Sequence, residues 1–539
     1  MLHLICGRKG CGKTEYIANS ISRAGKQGTL LLVPETRSHI SERLLCRVCG
    51  NSLSSFCEVT SFRRLAARVK SEVGGLASAS VGGGERILLL HSAVKGVSKA
   101  LKTLRPLASR PESLENILTA IDEFKSYGVS AEQLASVSKS LSGALRDKIF
   151  DLSLIYSAYD GALGDDSLDA YDEISRLAEL LSEHDFFRGK TVYLDSFTGF
   201  TSAEFDIIEN AAVYADDVYV TLTLPENCRK GDENGIFDKT LDTMAKISAH
   251  AEKHGIGIEK IYLEKDCPSA LSVLETSLFS DSREVFDGET PITIVRAEDV
   301  FAECELAAAY IIDRLRDDGA RLRDFTVAVS DEGTYLPVVE QVFMRYGIPV
   351  YISEKTPITE KPAVTLITSA LDCVIRDFRT ASVTDYIKSG FSGICSKTLA
   401  VFENYLFTHS PRGREFASDF TRNPLGLTAE ETDESRGLLR IINRAREKIY
   451  KPLKTLSDRL RTGKTAIKCA EAILDFTDEI HLSRRFDAYA YLAEQNGRLR
   501  EAQEYRLLYE ILTEAVSAIG IALGETRVSC DELLVLFKL

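Results

Sequence analysis

The 539-residue sequence has no run of about 18 apolar residues, so no segment reads as a membrane-spanning helix. Its N-terminus lacks a basic n-region and a small-residue cleavage site, and the opening apolar stretch Leu2–Cys6 is too short for a secretion signal. These absences point to a cytoplasmic protein. Metal-ligand spacing is missing too. Cys46 and Cys49 form the one CxxC among 12 cysteines, no second pair follows, and Cys57 alone does not complete a set. The cysteines are therefore expected to be reduced thiols, many of them in the core. A positive surplus is also absent: 66 Lys and Arg stand against 80 Asp and Glu, a net charge of −14. That excludes a surface built throughout as a nucleic-acid sleeve and leaves room for a local basic groove or a basic partner. There is no tandem repeat and no low-complexity linker; Gly82–Gly84 is the one glycine run that reads as a hinge.

With 44% hydrophobic and 27% charged residues, the composition is that of a globular protein, and the length suggests roughly two to four domains. Leu2–Cys6 reads as a buried strand, a helix is expected from about Lys13, and Thr29–Val33 reads as a second strand closed by Pro34. Strand, helix, strand of this kind favours a parallel sheet. Further strand-like runs are Thr191–Leu194, Val218–Leu224, Ile292–Val295 and Phe325–Val329. Ser38–Val48 has the pattern of an amphipathic helix. From 85 to 188 apolar residues recur at helical spacing, as in Leu114, Ile117, Ile121 and Phe124, and from about 365 to the end the pattern is again helical.

The motif that carries chemistry is Gly7-Arg8-Lys9-Gly10-Cys11-Gly12-Lys13-Thr14, which fits GxxxxGK(S/T) in full between an expected strand and an expected helix. Glycines let successive backbone N–H groups turn toward phosphate oxygens, and the following helix offers its positive end. Gly7, Gly10, Cys11 and Gly12 would cradle the phosphates of ATP, Lys13 would bridge its outer phosphates, and the Thr14 hydroxyl would coordinate Mg²⁺. Hydrolysis further needs an acid on a second strand to hold the metal and another carboxylate or amide to orient water. Asp195, at the end of Thr191–Leu194, is the candidate metal partner, with a loop-capping aspartate as the alternative. The next residue is Ser196 where a motor would place Glu, and a serine is no strong base. Glu204 could substitute only if the following turn folded back.

These residues resemble the B subunit of the AddAB (RexAB) helicase–nuclease, a bacterial relative of the UvrD-like superfamily 1 helicases. Besides the phosphate loop, Leu32-Val33-Pro34-Glu35 resembles the family's LVPEQ element, and Val59-Thr60-Ser61-Phe62-Arg63-Arg64-Leu65-Ala66 its SFxxLA element. Leu194-Asp195-Ser196-Phe197-Thr198-Gly199-Phe200-Thr201 is similar to its DGFxxFT element and Phe402-Glu403-Asn404-Tyr405-Leu406 to its ENY element. Asp324–Val329 and Tyr346-Gly347-Ile348-Pro349-Val350 look like the start of a second motor-like domain. The resemblance implies an α/β chain. A P-loop, RecA-like parallel-sheet domain would be built from 1–84 and 189–290, with 85–188 as an all-helical insertion. Residues 291–365 would begin a second RecA-like domain, and 366–539 would form a second helical insertion. Glu532–Leu539 still reads as an apolar-rich element with no stop signal, and the second strand-bearing region has too few strands to close a sheet, so the chain is expected to be the N-terminal part of a longer protein. The family's nuclease domain, with its iron–sulfur cysteines, is expected in the missing part, since no four-cysteine set occurs here.

The resemblance also implies a role in recombinational repair of double-strand breaks. An AddA-like partner would supply the active motor, and the complex would act on double-stranded DNA ends. The AddB-like chain would scan the exiting single strand for a regulatory Chi sequence. Carried over by position, the DNA-contact candidates are Glu35, Thr36, Ser38, Phe62, Arg64 and Phe200. Phe62 and Phe200 could stack on bases and Arg64 could hold a phosphate, with core packing the alternative for the two phenylalanines. Thr36 stands where the family commonly has Gln and cannot make the bidentate contact to adenine. The first reading is therefore an ATP-binding, motor-inactive scanning subunit. The second is an active ATP-dependent DNA translocase with its carboxylate elsewhere. A small-molecule kinase or signalling P-loop protein fits less well, because two long helical insertions are out of place there.

Overall fold

The computed structural model describes residues 1–50, 55–73, 79–107, 110–164, 167–264, 269–280, 285–352, 358–427 and 430–538. Strands β1 (Leu2–Gly7), β2 (Thr29–Leu32), β3 (Cys57–Thr60), β6 (Thr191–Leu194), β7 (Asp217–Thr223) and β8 (Ile258–Tyr262) form a six-stranded sheet in the order β3-β2-β6-β7-β1-β8. Every pairing in it is parallel. A second, two-stranded parallel pair joins β4 (Ala79–Ser80) to β5 (Ser167–Leu168).

The central strands are apolar on both faces because both are covered, as a parallel sheet requires. Alternate residues of each strand serve different cores. Leu2, Leu4, Leu30, Leu32, Val192, Leu194, Val218 and Val220 pack with α3 (Phe62–Val73), α8 (Ala170–Glu183), α9 (Ser202–Tyr214) and α10 (Asp238–Lys253). Ile5, Leu31, Val33 and Tyr193 pack on the other side with α1 (Lys13–Ala24) and α2 (Ser38–Cys49). The register puts Gly7 beside Thr223 and Leu32 beside Leu194. The C-terminal ends of β1, β2, β6 and β7 therefore open on one edge, with β7 alone between β1 and β6.

Between α3 and α8 the chain folds into α4 (Gly83–Val97), α5 (Pro111–Ser126), α6 (Ala131–Ser140) and α7 (Gly143–Leu163) around a separate core of Leu90, Val94, Leu114, Ile121, Ile155 and Tyr159. The Gly82–Gly84 run begins α4. Gly82 caps α4, its N–H donating to Glu85 Oε2 at 3.2 Å, and the two glycines after it are already helical. The C-terminal part is helical as expected, from α14 (Pro362–Ile375) through α15 (Thr380–Lys388), α16 (Ser396–His409), α17 (Asp433–Thr462), α18 (Ala466–Glu479), α19 (Leu482–Gln495) and α20 (Leu499–Leu523) to α21 (Cys530–Lys538). Helix α20 packs on α4, and Lys95 of α4 pairs with Glu532 of α21.

The chain divides into one unit of Met1–Lys265 with Thr359–Leu539 and a second of Asp266–Ile358. The second holds α11 (Ala270–Ser277), α12 (Val300–Asp317) and α13 (Glu332–Arg345), with Cys304, Ala308, Ile311, Val342 and Phe343 as its core. Two sequence expectations fail there. Ile292–Val295 and Phe325–Val329 are not strands. Their apolar, β-branched composition favours an extended chain, but a strand exists only where a neighbour completes its hydrogen bonds. Among the described residues none does so, and Ile294 is 92% exposed. No helix of the described residues is long and apolar enough to cross a membrane. The cysteines among them are free thiols, Cys6, Cys57, Cys304, Cys373 and Cys469 of them buried, while Cys46 is exposed and Cys49 half-buried on α2.

Candidate functional site

The loop from Gly7 to Gly12 links β1 to α1 at the open edge of the sheet. Its turns are left-handed at Gly10 (φ 76°) and Gly12 (φ 90°), where a side chain would strain the backbone. Gly7 is fixed by crowding: a Cβ there would fall on the Leu263 carbonyl oxygen and the Cys11 sulfur. Lys13 Nζ donates to the carbonyls of Gly7 at 2.7 Å and Arg8 at 2.8 Å and lies 3.7 Å from Cys11 Sγ, so the ammonium sits inside the ring that the loop describes. Behind it, burial pushes the Cys6 thiol up to about 11, which makes it a core side chain rather than a reactive one.

Asp195 follows β6 and is 3% exposed. Its Oδ1 accepts from Thr221 Oγ1 at 2.7 Å and its Oδ2 from Ser196 Oγ at 3.1 Å. The Ser196 N–H donates to Thr221 Oγ1 at 3.2 Å, which closes a small network across β6 and β7. Ser196 itself is left-handed, with φ 67°. Lys13, Thr14, Asp195, Ser196 and Thr221 all line one cavity of about 910 Å³ at the sheet edge, with Gly10, Gly12, Lys9 and Glu15. The positive end of α1, a hydroxyl and a carboxylate facing the same space form a donor set of hard oxygens and N–H groups that suits a phosphate-bound Mg²⁺. The carboxylates lining this cavity are Asp195 and Glu15. Glu204 is not available to it. It caps α9, accepting the Thr201 N–H at 2.8 Å, and lines a different pocket.

Sequence reasoning missed two parts of this wall. Thr221 lies near the end of β7, beside Asp195, and its side-chain role follows only once β6 and β7 are known to be neighbours. Arg43 and Arg47 of α2 and Arg37 of the turn before it line the cavity, with Ile40 and Leu44. Arg43 and Arg47, four residues apart on one helix face, were the signal.

The six DNA-contact candidates separate. Glu35 and Phe62 meet at a second pocket of about 260 Å³, with Arg63, Lys125, Thr201 and Glu204. Thr36 and Arg64 are exposed. Ser38 is 4% exposed, begins α2, and its hydroxyl donates to the Glu35 carbonyl at 2.9 Å, so it is committed to the helix start. Phe62 is 4% exposed. Its ring lies 5.5 Å from that of Phe197 and meets Phe200 edge-on at 6.5 Å. Phe62 packs with the sheet core, the alternative left open for it in the sequence, and also lines the smaller pocket. Phe200 is half-buried, against Phe197 and Phe205.

Residues 4–275 match the family described as "ADDB, N-terminal". Proteins named as the B subunit of an ATP-dependent helicase/deoxyribonuclease align with 98% of the chain: 28% identical in Caldanaerobacter subterraneus subsp. tengcongensis, 26% in Clostridium acetobutylicum and 27% in Thermoanaerobacter sp. (strain X514). In each, the alignment covers 47% of the relative, so the chain spans about half the length of the curated relatives it matches. Because the matched stretch of about half the chain takes in the phosphate loop, Asp195 and all six strands of the sheet but the first two residues of β1, this chain belongs to the AddB family.

Proposed function

We propose that the chain is an ATP-binding, motor-inactive part of a helicase–nuclease, working with an AddA-like motor on DNA ends in recombinational repair. The observation that carries the reading is the pair at the end of β6: Asp195 faces the phosphate loop, and the residue after it is a serine whose hydroxyl is spent on that aspartate. On this reading the sheet domain is RecA-like. The backbone of Gly7–Gly12, Lys13 and Thr14 would hold the triphosphate, with Asp195 positioned by Thr221 as the second oxygen donor for Mg²⁺, whose chemistry is to neutralise phosphate charge. The residue after Asp195 is a serine rather than a second acid, and the other carboxylate lining the cavity, Glu15, belongs to the first turn of α1 rather than to a strand end, so nucleotide binding outlasts turnover.

Scanning of single-stranded DNA for a Chi sequence is part of the same proposal. The candidates that stay at the surface are Glu35, which lines the smaller pocket, the exposed Thr36 and Arg64, and the half-buried Phe200. Lys13→Ala tests the nucleotide site. Loss of one charge-assisted hydrogen-bond donor, about 1.5–3 kcal/mol, corresponds to roughly 10–100-fold weaker binding of a fluorescent ATP analogue. Equal affinity in the wild type and the variant would remove the phosphate loop from the reading.

A further inference from the structure

The phosphate loop is gripped from outside by a turn that no part of the motif foretells. After β7 the chain returns to the loop: the Leu224 N–H donates to the Gly7 carbonyl at 3.2 Å. It then forms a turn in which Gly231 (φ 87°), Glu233 (φ 49°), Asn234 (φ 57°) and Gly235 (φ 75°) are all left-handed. Two of these carry side chains, and a non-glycine residue held there costs free energy, so the turn keeps its shape only while its contacts hold. Those contacts are specific. The Gly231 N–H donates to Asp238 Oδ1 at 2.9 Å and the Arg229 N–H to Asp232 Oδ2 at 2.8 Å. The Glu233 carboxylate takes the Arg8 guanidinium in a two-pronged pair, Nη1 to Oε2 at 3.1 Å and Nη2 to Oε1. Both side chains are largely shielded, 20% exposed for Arg8 and 13% for Glu233. The guanidinium also lies 5.5 Å from the ring centroid of Phe237, which is buried in the sheet core and lines the nucleotide cavity.

We propose that Glu233 is a positioning residue for the triphosphate: through Arg8 it holds the phosphate loop in the curve that the loop's N–H groups need, and Arg8 serves as a strut rather than as a phosphate ligand. This rests on the nucleotide-binding reading above and assigns regulation of that site to the turn Gly231–Gly235. A planar, bidentate pair fixes both distance and orientation, which a single point charge would not. The alternative, a merely electrostatic role, makes the opposite prediction. Removing the Glu233 charge leaves the neighbourhood of the phosphates more positive, so electrostatics alone would tighten binding of a polyanion.

The test is a titration of the 539-residue chain with fluorescent ATP analogue and Mg²⁺, alongside its thermal unfolding without nucleotide. Glu233→Gln is expected to weaken binding by about tenfold, the size of one charge-assisted pair, with the unfolding midpoint little changed. The charge-swapped double variant Arg8→Glu/Glu233→Arg is expected to recover most of that loss. If Glu233→Gln does not fold, Glu233→Asp, which withdraws the carboxylate by one methylene, takes its place with the same expected weakening. Unchanged or tighter binding in the single variant, or no recovery in the double variant, overturns the strut. A wild type that binds no nucleotide at all defeats the reading beneath it instead, so the two failures are distinct.

Discussion

Asp169→Ala is expected to cost about 3–5 kcal/mol of folding stability, the range for breaking a buried ion pair from one side. Asp169 is wholly buried. Its Oδ1 caps α8, accepting the N–H groups of Tyr171 and Asp172, each at 3.0 Å. Its Oδ2 accepts from Lys125 Nζ at 2.9 Å and Arg86 Nη2 at 3.4 Å. Lys125, 6% exposed, also holds Asp172 at 2.7 Å and Asp160 at 3.3 Å, and Arg86 holds Asp122 and the Tyr159 hydroxyl. Four helices meet at this carboxylate: α4, α5, α7 and α8, the last of which also packs on the sheet. Alanine removes the cap and takes the most buried partner from two cations, leaving Lys125 to Asp160 and Asp172 and Arg86 to Asp122. Urea denaturation measures the effect, and a loss below about 1 kcal/mol would mean the network is no more than a solvated surface cluster.

The pH dependence of that loss follows from the same groups. Burial would raise Asp169, but Lys125, the Asp172 N–H and Arg86 outweigh it and hold the carboxyl below its usual value. A depressed carboxylate contributes stability above its unfolded pKa and loses it as pH falls through the folded one. Asp160 and Asp172 are shifted the other way, raised chiefly by burial with the Asp169 charge adding to it, so protonating them favours the folded state. The difference between wild type and Asp169→Ala should hold steady from neutral pH to about 5 and shrink below about 4. A difference that vanishes above pH 5 would contradict the assignment.

Phe62→Ala is the second large effect, about 3–5 kcal/mol, as for other buried phenylalanines cut to alanine. The ring is packed among Phe197, Phe200 and the sheet core, and its loss leaves a void beneath α3. Phe62→Leu keeps most of the volume and should cost under about 1.5 kcal/mol. The pair of variants separates packing from base recognition. A core role predicts that Phe62→Leu binds a single-stranded oligonucleotide as the wild type does. A stable Phe62→Ala protein with weakened DNA binding would return the residue to the DNA surface.

What the sequence discloses here is local. Leu2–Gly7, the glycine spacing and Lys13–Thr14 form one continuous signal, because the strand, the turn and the helix start each have a short-range cause. Asp195 is legible for the same reason, as the polar residue that ends an apolar run. Thr221 and Glu233 are not. They lie 26 residues from Asp195 and 225 from Arg8, and only the strand order brings each to its partner. Phe62 shows a different limit: an aromatic in the first turn of a helix has the same signature whether it faces a core or a ligand. Ile292–Val295 and Phe325–Val329 show a third, since β-branched residues state a preference for extension and cannot state whether a neighbouring strand is there to pair.

The most direct measurement is ATP turnover by the purified 539-residue chain, in single-turnover and steady-state modes, with and without single-stranded DNA. The expected result is a nucleotide that binds in a Lys13-dependent way and is hydrolysed near the background rate, DNA or no DNA. Turnover stimulated by DNA and abolished by Lys13→Ala would contradict it, and would mean that a carboxylate other than Asp195 activates water.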